Sequence, residues 1–188
     1  MLIVLSGLPG TGKTTIAREL ARELGAVYVR IDSIEQALRN AGRPVESEGY
    51  RVGYAVAEDN LRLGSHVIAD SVNPWSLTRG EWRAIAERAG VPAVDVEIVC
   101  SDAQEHRRRV ETRAADITGH RVPTWQDVAE RDYRAWDTDR IVIDTARLSV
   151  EQSVRTIIAR VPVNRLPQDS SARAETPVTD STSQRMRD

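Results

Sequence analysis

The stretch Gly7-Leu8-Pro9-Gly10-Thr11-Gly12-Lys13-Thr14-Thr15 follows an apolar run, Leu2-Ile3-Val4-Leu5, and fits the phosphate-loop pattern G-x-x-x-x-G-K-[ST]. It reads as a strand entering a phosphate cradle. Gly7, Gly10 and Gly12 allow backbone conformations that a side chain would forbid, so that successive N–H groups turn inward around phosphate oxygens. The helix expected from about Thr14 carries Ile16, Leu20, Ala21 and Leu24 on one face and points the positive end of its dipole at the same place. Lys13 supplies a mobile charge for the β- and γ-phosphates of ATP, and the Thr14 hydroxyl is placed to bind Mg²⁺. Residues 7–15 are therefore the expected ATP-binding set. Lys13 is also the only lysine among 26 Lys and Arg residues. In a chain so biased toward arginine, lysine is kept where a slim ammonium enters a cage that a forked guanidinium would crowd.

The chain has 188 residues and a formal net charge of −2. That length suits one domain with its own core, and the near-neutral balance argues against a long nucleic-acid partner. The single Cys100 excludes an internal disulfide and suits a reducing compartment. No run approaches the roughly 20 apolar residues of a membrane span, and the first strand begins without a charged leader. A cytoplasmic location is the expectation. Composition leaves the oligomeric state open.

Outward from the loop, strands and helices alternate, the pattern of a parallel sheet covered on both faces. Strands are expected at 26–31, 66–69, 94–100 and 141–143, in addition to the first. Asp32-Ser33 is expected to cap a helix running to about Ala41, before the break at Gly42-Arg43-Pro44. Further helices are expected at 48–63, 77–89, from Asp102 to about Ala115, from Trp125 to about Trp136, and from a cap at Ser149 to an end before Pro162. Strand four alternates, as Val94-Asp95-Val96-Glu97, more than a fully buried strand should. Residues 163–188 are rich in Ser, Thr, Pro, Asp and Arg, and are expected to form a disordered tail after a 1–162 domain.

In open parallel sheets ligands gather at the carboxyl ends of the strands. Asp32 ends strand two, beside the expected γ-phosphate, where it can accept a proton from a substrate hydroxyl. Asp70 ends strand three, the position of a carboxylate that holds Mg²⁺ directly or through water; its segment, Asp70-Ser71-Val72-Asn73-Pro74, is also turn chemistry. Ser71 follows Asp70 where hydrolytic ATPases of the related class carry a water-activating Glu, which tilts the choice toward transfer. A guanine-specifying Asn-Lys-x-Asp motif needs a second lysine and is absent. The run His106-Arg107-Arg108-Arg109 with Arg113 places Arg109 and Arg113 four residues apart on one expected helix face, as lid cations for transition-state charge. Arg121 and Arg131 are further lid candidates, and Arg79 a substrate-side cation. Tyr50, Tyr54, Trp75 and Trp125 are candidates to line an acceptor pocket.

With these residues assembled, the chain resembles the small P-loop kinases of the AAA_33 group, around polynucleotide kinase, zeta toxin and chloramphenicol phosphotransferase. Ile31-Asp32-Ser33-Ile34 is similar to the segment holding the acceptor-activating base in the chloramphenicol enzyme. Asp70-Ser71-Val72-Asn73 resembles the Asp-x-x-Asn segment after strand three in relatives. Polynucleotide kinases place an arginine three residues after the base aspartate, and this chain has Glu35. That departure weakens a nucleic-acid 5′-hydroxyl substrate. The resemblance implies a three-layer α/β fold with a five-stranded parallel sheet in the order 2-3-1-4-5 and a helical lid. It implies an ATP- and Mg²⁺-dependent phosphotransferase acting on a small hydroxyl-bearing acceptor, with Lys13, Asp32, Arg109 and Arg113 catalytic and Thr14 and Asp70 at the metal. The competing expectations are an ATP-binding regulatory protein without an acceptor and a toxin-like kinase of nucleotide sugars.

Overall fold

A computed structural model describes residues 1–162; the expected tail at 163–188 lies outside the described residues. Five strands, β1 (Leu2–Ser6), β2 (Val27–Arg30), β3 (Val67–Asp70), β4 (Ala93–Val99) and β5 (Ile141–Asp144), form one parallel sheet in the order β2-β3-β1-β4-β5. The helices are α1 (Lys13–Glu23), α2 (Ile31–Asn40), α3 (Glu48–Arg62), α4 (Ser76–Arg88), α5 (Ala103–Thr112), α6 (Trp125–Ala129) and α7 (Val150–Ile158). None is long and apolar enough to cross a membrane.

Strand β1 shows why three layers form. It is apolar at successive positions because both faces are covered. Ile3 and Leu5 pack against Ile16 and Leu20 of α1 and Val154 and Ile157 of α7. Leu2 and Val4 pack the other way, against Ala57 and Leu61 of α3 and Trp82 and Ile85 of α4. The alternation in β4 has a specific cause. Its apolar Val96 and Ile98 join the α1 side, while Asp95 and Glu97 turn away and meet arginines. Arg83 Nε donates to Asp95 at 2.7 Å, and Arg140 Nε donates to Glu97 at 2.6 Å. Paired in this way, two carboxylates are tolerated in a buried strand.

Three expected boundaries are corrected. Asp32 does not cap α2: β2 runs extended to Arg30, the N-cap, and Asp32 falls in the first helical turn. There its charge suits the helix dipole, and its carboxylate is not consumed by the backbone. Helix α5 stops at Thr112, and Arg113 is already extended at φ −70°, ψ 136°. Arg109 and Arg113 therefore do not share a helix face. Helix α6 ends at Ala129, after a capping box between Thr124 and Asp127; residues 130–136 run on as an irregular strap.

Candidate active site

The phosphate loop folds back over the sheet at the carboxyl end of β1. Gly7 has φ 140°, and a Cβ there would collide with the Ile98 carbonyl oxygen, a backbone atom that cannot step aside. Gly7→Ala is accordingly expected to displace the loop, lowering affinity for AMPPNP at least about tenfold and Tm by several degrees; titration calorimetry and thermal unfolding read both. At Gly12, the N-cap of α1, φ is 93°, in the left-handed region that favours glycine. Lys13 follows, its ammonium donating to the Leu8 carbonyl at 3.0 Å. Burial pushes the Lys13 ammonium down from its ordinary pKa, the Asp70 and Asp32 carboxylates oppose this, and Arg113 and Arg131 add to it. A cation held in that tension gains from any phosphate that enters.

A cleft of about 1530 Å³ opens above the loop. Among the expected residues, Pro9, Gly10, Gly12, Lys13, Thr14, Thr15, Asp32, Asp70, Arg109 and Arg113 line it. Gly7, Leu8 and Thr11 support it from beneath: Thr11 Oγ1 donates to the Leu8 carbonyl at 2.9 Å and is nearly fully buried. Asp70, at 3% exposure, accepts at Oδ2 from the Thr14 hydroxyl at 2.8 Å and from the Tyr28 hydroxyl at 2.7 Å. Burial and the Asp70 charge push the Tyr28 phenol well above its usual range. Beyond Asp70, Asn73 sits at φ 52°, and its amide nitrogen donates to Ser6 Oγ at 3.0 Å. The Asp-x-x-Asn segment thereby braces the start of the phosphate loop, where Gly7 N–H donates to the Val72 carbonyl at 3.2 Å.

Asp32 lines the same cleft with its side chain 37% exposed, as do Glu35, Tyr50, Tyr54, Trp75 and Thr78, and its charge acts on both Lys13 and Tyr50. Tyr50 and Tyr54 thus combine a packing role, in the layer around Trp82, with lining the cleft. Trp125 does not line the cleft; it packs edge-on against His106, whose ring bonds the Pro9 carbonyl at 2.8 Å.

The arginines divide by what holds them. Arg109 is engaged by Glu105 at 2.7 Å and by Thr145 at 2.9 Å and 3.1 Å. With Arg108 it holds the Glu105 carboxyl down to about 2. Arg113 and Arg131 line the cleft and act electrostatically on Lys13. Arg121 stands at the rim, 3.6 Å from Asp127. Arg79, expected to face a substrate, is 0% exposed and bonds backbone carbonyls, so its role is structural. Sequence reading passed over Tyr28, Arg30, Asp116 and Thr145. None lies in a motif, and what joins them is a set of long-range contacts.

A glycine-rich loop and lysine at the head of a doubly covered parallel sheet, beside Asp70 at the end of β3 and Asp32 in the first turn of α2, define a P-loop phosphate site. The chain belongs to the AAA domain family AAA_33, which it matches over residues 2–136. It is 31% identical over 175 residues to the shikimate kinase of Mycobacterium avium strain 104, covering 85% of this chain and 92% of that protein. It is 32% identical over 105 residues to the adenylyl-sulfate kinase of Myxococcus xanthus strain DK1622, covering 52% of this chain and 56% of that protein. Among solved structures, the Mycobacterium tuberculosis APS kinase CysC in complex with AMPPNP and APS superposes with TM-score 0.61 at 19% identity, covering 84% of this chain and 95% of that one. A gluconokinase from Sinorhizobium meliloti 1021 superposes with TM-score 0.57 at 19% identity, covering 84% and 89%. The chain is thus an ATP-binding phosphotransferase.

Proposed function

We propose that this kinase moves the γ-phosphoryl group of ATP to a hydroxyl of a small acceptor, with Asp32 as the base and Mg²⁺ held by Thr14 and Asp70. The observation that carries the reading is the convergence of Lys13, the Thr14–Asp70 pair and the accessible Asp32 in one cleft. The Thr14 hydroxyl and Asp70 carboxylate are hard oxygen donors side by side, a set that fits Mg²⁺ completed by phosphate oxygens and water. When bound, that ion neutralises charge on the β- and γ-phosphates. Asp32 takes the proton of the acceptor hydroxyl as its oxygen bonds to the γ-phosphorus. The bond from that phosphorus to the β,γ-bridging oxygen breaks, and ADP leaves with the electron pair. Lys13, Arg113 and Arg131 neutralise charge on the moving group.

Glu35, Glu46, Arg51, Tyr50, Tyr54 and Trp75 give the acceptor half a mixed polar and aromatic wall, suited to a compact polar molecule. The test is a screen of γ-labelled ATP against adenylyl sulfate, shikimate, gluconate, sugars, nucleosides, hydroxyl-bearing antibiotics and short 5′-hydroxyl oligonucleotides. The Lys13→Ala variant is the blank and is expected to lower transfer at least about a thousandfold. Label in an acceptor with wild type alone supports the reading. Tight AMPPNP binding with no label in any acceptor sinks it in favour of a nucleotide-binding protein.

A further inference from the structure

Asp116 lies in the loop between α5 and α6, outside every motif of the chain. Its carboxylate accepts a fork from Arg30, Nη1 to Oδ2 at 2.6 Å and Nη2 to Oδ1 at 3.0 Å. Arg18, one turn beyond Thr14 on α1, donates a third bond at 2.7 Å. Among the described residues, the hydrogen bonds and ion pairs that tie residues 114–119 to the sheet and α1 all end on Asp116.

Arg30 is the unusual partner. Its side chain is 2% exposed, at the end of β2, and three carboxylates from three elements surround it. Asp116 takes the fork, Asp32 lies 3.5 Å from Nη2, and Asp70 lies 3.9 Å from Nε. A buried guanidinium demands a carboxylate partner, and its planar fork engages one carboxylate at a time in bidentate fashion. With the fork on Asp116, Asp32 keeps a single long contact.

We infer that Asp116 is the latch of the lid and a positioning residue for transfer. By taking the Arg30 fork it pins residues 113–119 over the cleft, holds Arg113 near Lys13, and keeps Arg30 from clasping Asp32. With Asp116 removed, Asp32 is the nearest carboxylate to the buried guanidinium and becomes its partner, while the loop loses its anchor. The consequence for transfer rests on the proposed kinase reaction; the latch does not.

The experiment compares wild type, Asp116→Ala and the double variant Arg30→Met/Asp116→Leu, which also removes the buried charge and so guards against misfolding. Tryptic cleavage after Arg113 and Arg121 is followed with AMPPNP bound, alongside hydrogen exchange in the strands. Both variants are expected to lose protection from cleavage there about tenfold, with exchange in β1, β3 and β4 unchanged. AMPPNP affinity is expected to fall about threefold to tenfold as Arg113 leaves the phosphates. Equal lid protection in all three proteins, or loosening of β1, β3 and β4 in step with the lid, would overturn the latch. These readouts need no acceptor, so an acceptor screen that labels nothing would sink the kinase reading and leave the latch standing. Once an acceptor is in hand, Asp116→Ala should lower kcat more than it raises the acceptor KM. The double variant should recover part of kcat, because the competing guanidinium is gone. An unchanged kcat in Asp116→Ala, or a double variant no faster than the single, would refute the effect on Asp32.

Discussion

Replacing Asp32 with Asn is expected to reduce phosphoryl transfer by about 10²–10⁴-fold, the contribution of a well-placed general base. AMPPNP affinity should stay within about twofold, because the substitution keeps the shape of the side chain and leaves the phosphate loop untouched. The separation follows from the geometry. Lys13, the loop amides and the Thr14–Asp70 pair lie at the carboxyl end of β1, whereas Asp32 sits in the first turn of α2, where the proposed reaction places the acceptor. Loss of the Asp32 charge removes one of the two carboxylates that support the Lys13 ammonium, and Asp70 remains. The loss should therefore fall on kcat in steady-state assays with the acceptor from the screen, and calorimetry with AMPPNP supplies the affinity. Unchanged transfer in Asp32→Asn would remove the base assignment. A parallel loss of AMPPNP affinity would instead make Asp32 part of the nucleotide site.

The two halves of this site were unequally visible in the chain. The phosphate loop is contiguous, and its glycines, lysine and threonine do their work within nine residues, so spacing alone carries it. The sheet order came with the resemblance to P-loop kinases, because the burial of β1 on both faces calls for helical layers above and below it and leaves open which strands, here β3 and β4, flank its edges. What stayed hidden depends on contacts across the fold. Nothing after Thr112 marks a helix end: Arg113-Ala114-Ala115 are good helix formers. The chain leaves the helix there, and Asp116 meets Arg30, 86 residues away. Asp95 and Glu97 made β4 look half exposed because the arginines that satisfy them, Arg83 and Arg140, lie on other segments. Arg30 precedes Asp32 by two residues, yet its meaning comes from a loop whose path no local pattern describes.

Arg79 is the sharpest case, because a charged side chain that bonds only main-chain carbonyls leaves no trace in a pattern of side chains. Its guanidinium donates to Asn73 at 3.1 Å and Pro74 at 3.2 Å, in the loop after β3, and to Arg134 at 2.8 Å and Ala135 at 3.1 Å in the strap after α6. The Trp136 ring lies 4.0 Å from its centre and Tyr133 5.2 Å, a cation–π enclosure that helps replace the lost water. Arg134 N–H donates back to the Pro74 carbonyl at 2.9 Å, and Trp75 Nε1 donates to Asp132 at 3.1 Å. One side chain thus clasps the loop that braces the phosphate cradle to the strap that begins beside Arg131. Arg79→Met keeps much of the volume but leaves several buried carbonyls without donors, at roughly 1–3 kcal/mol for each group that finds no water. A total of about 3–4 kcal/mol, read by urea unfolding, should lower Tm by about 10 °C in a domain of this size. Arg79→Lys should recover little, because an ammonium cannot reach four carbonyls in the guanidinium plane or stack on Trp136. A Tm within about 2 °C of wild type for Arg79→Met would show that the strap and loop hold together without the clasp. The paired contacts of Arg134 and Trp75 would then be sufficient for the junction.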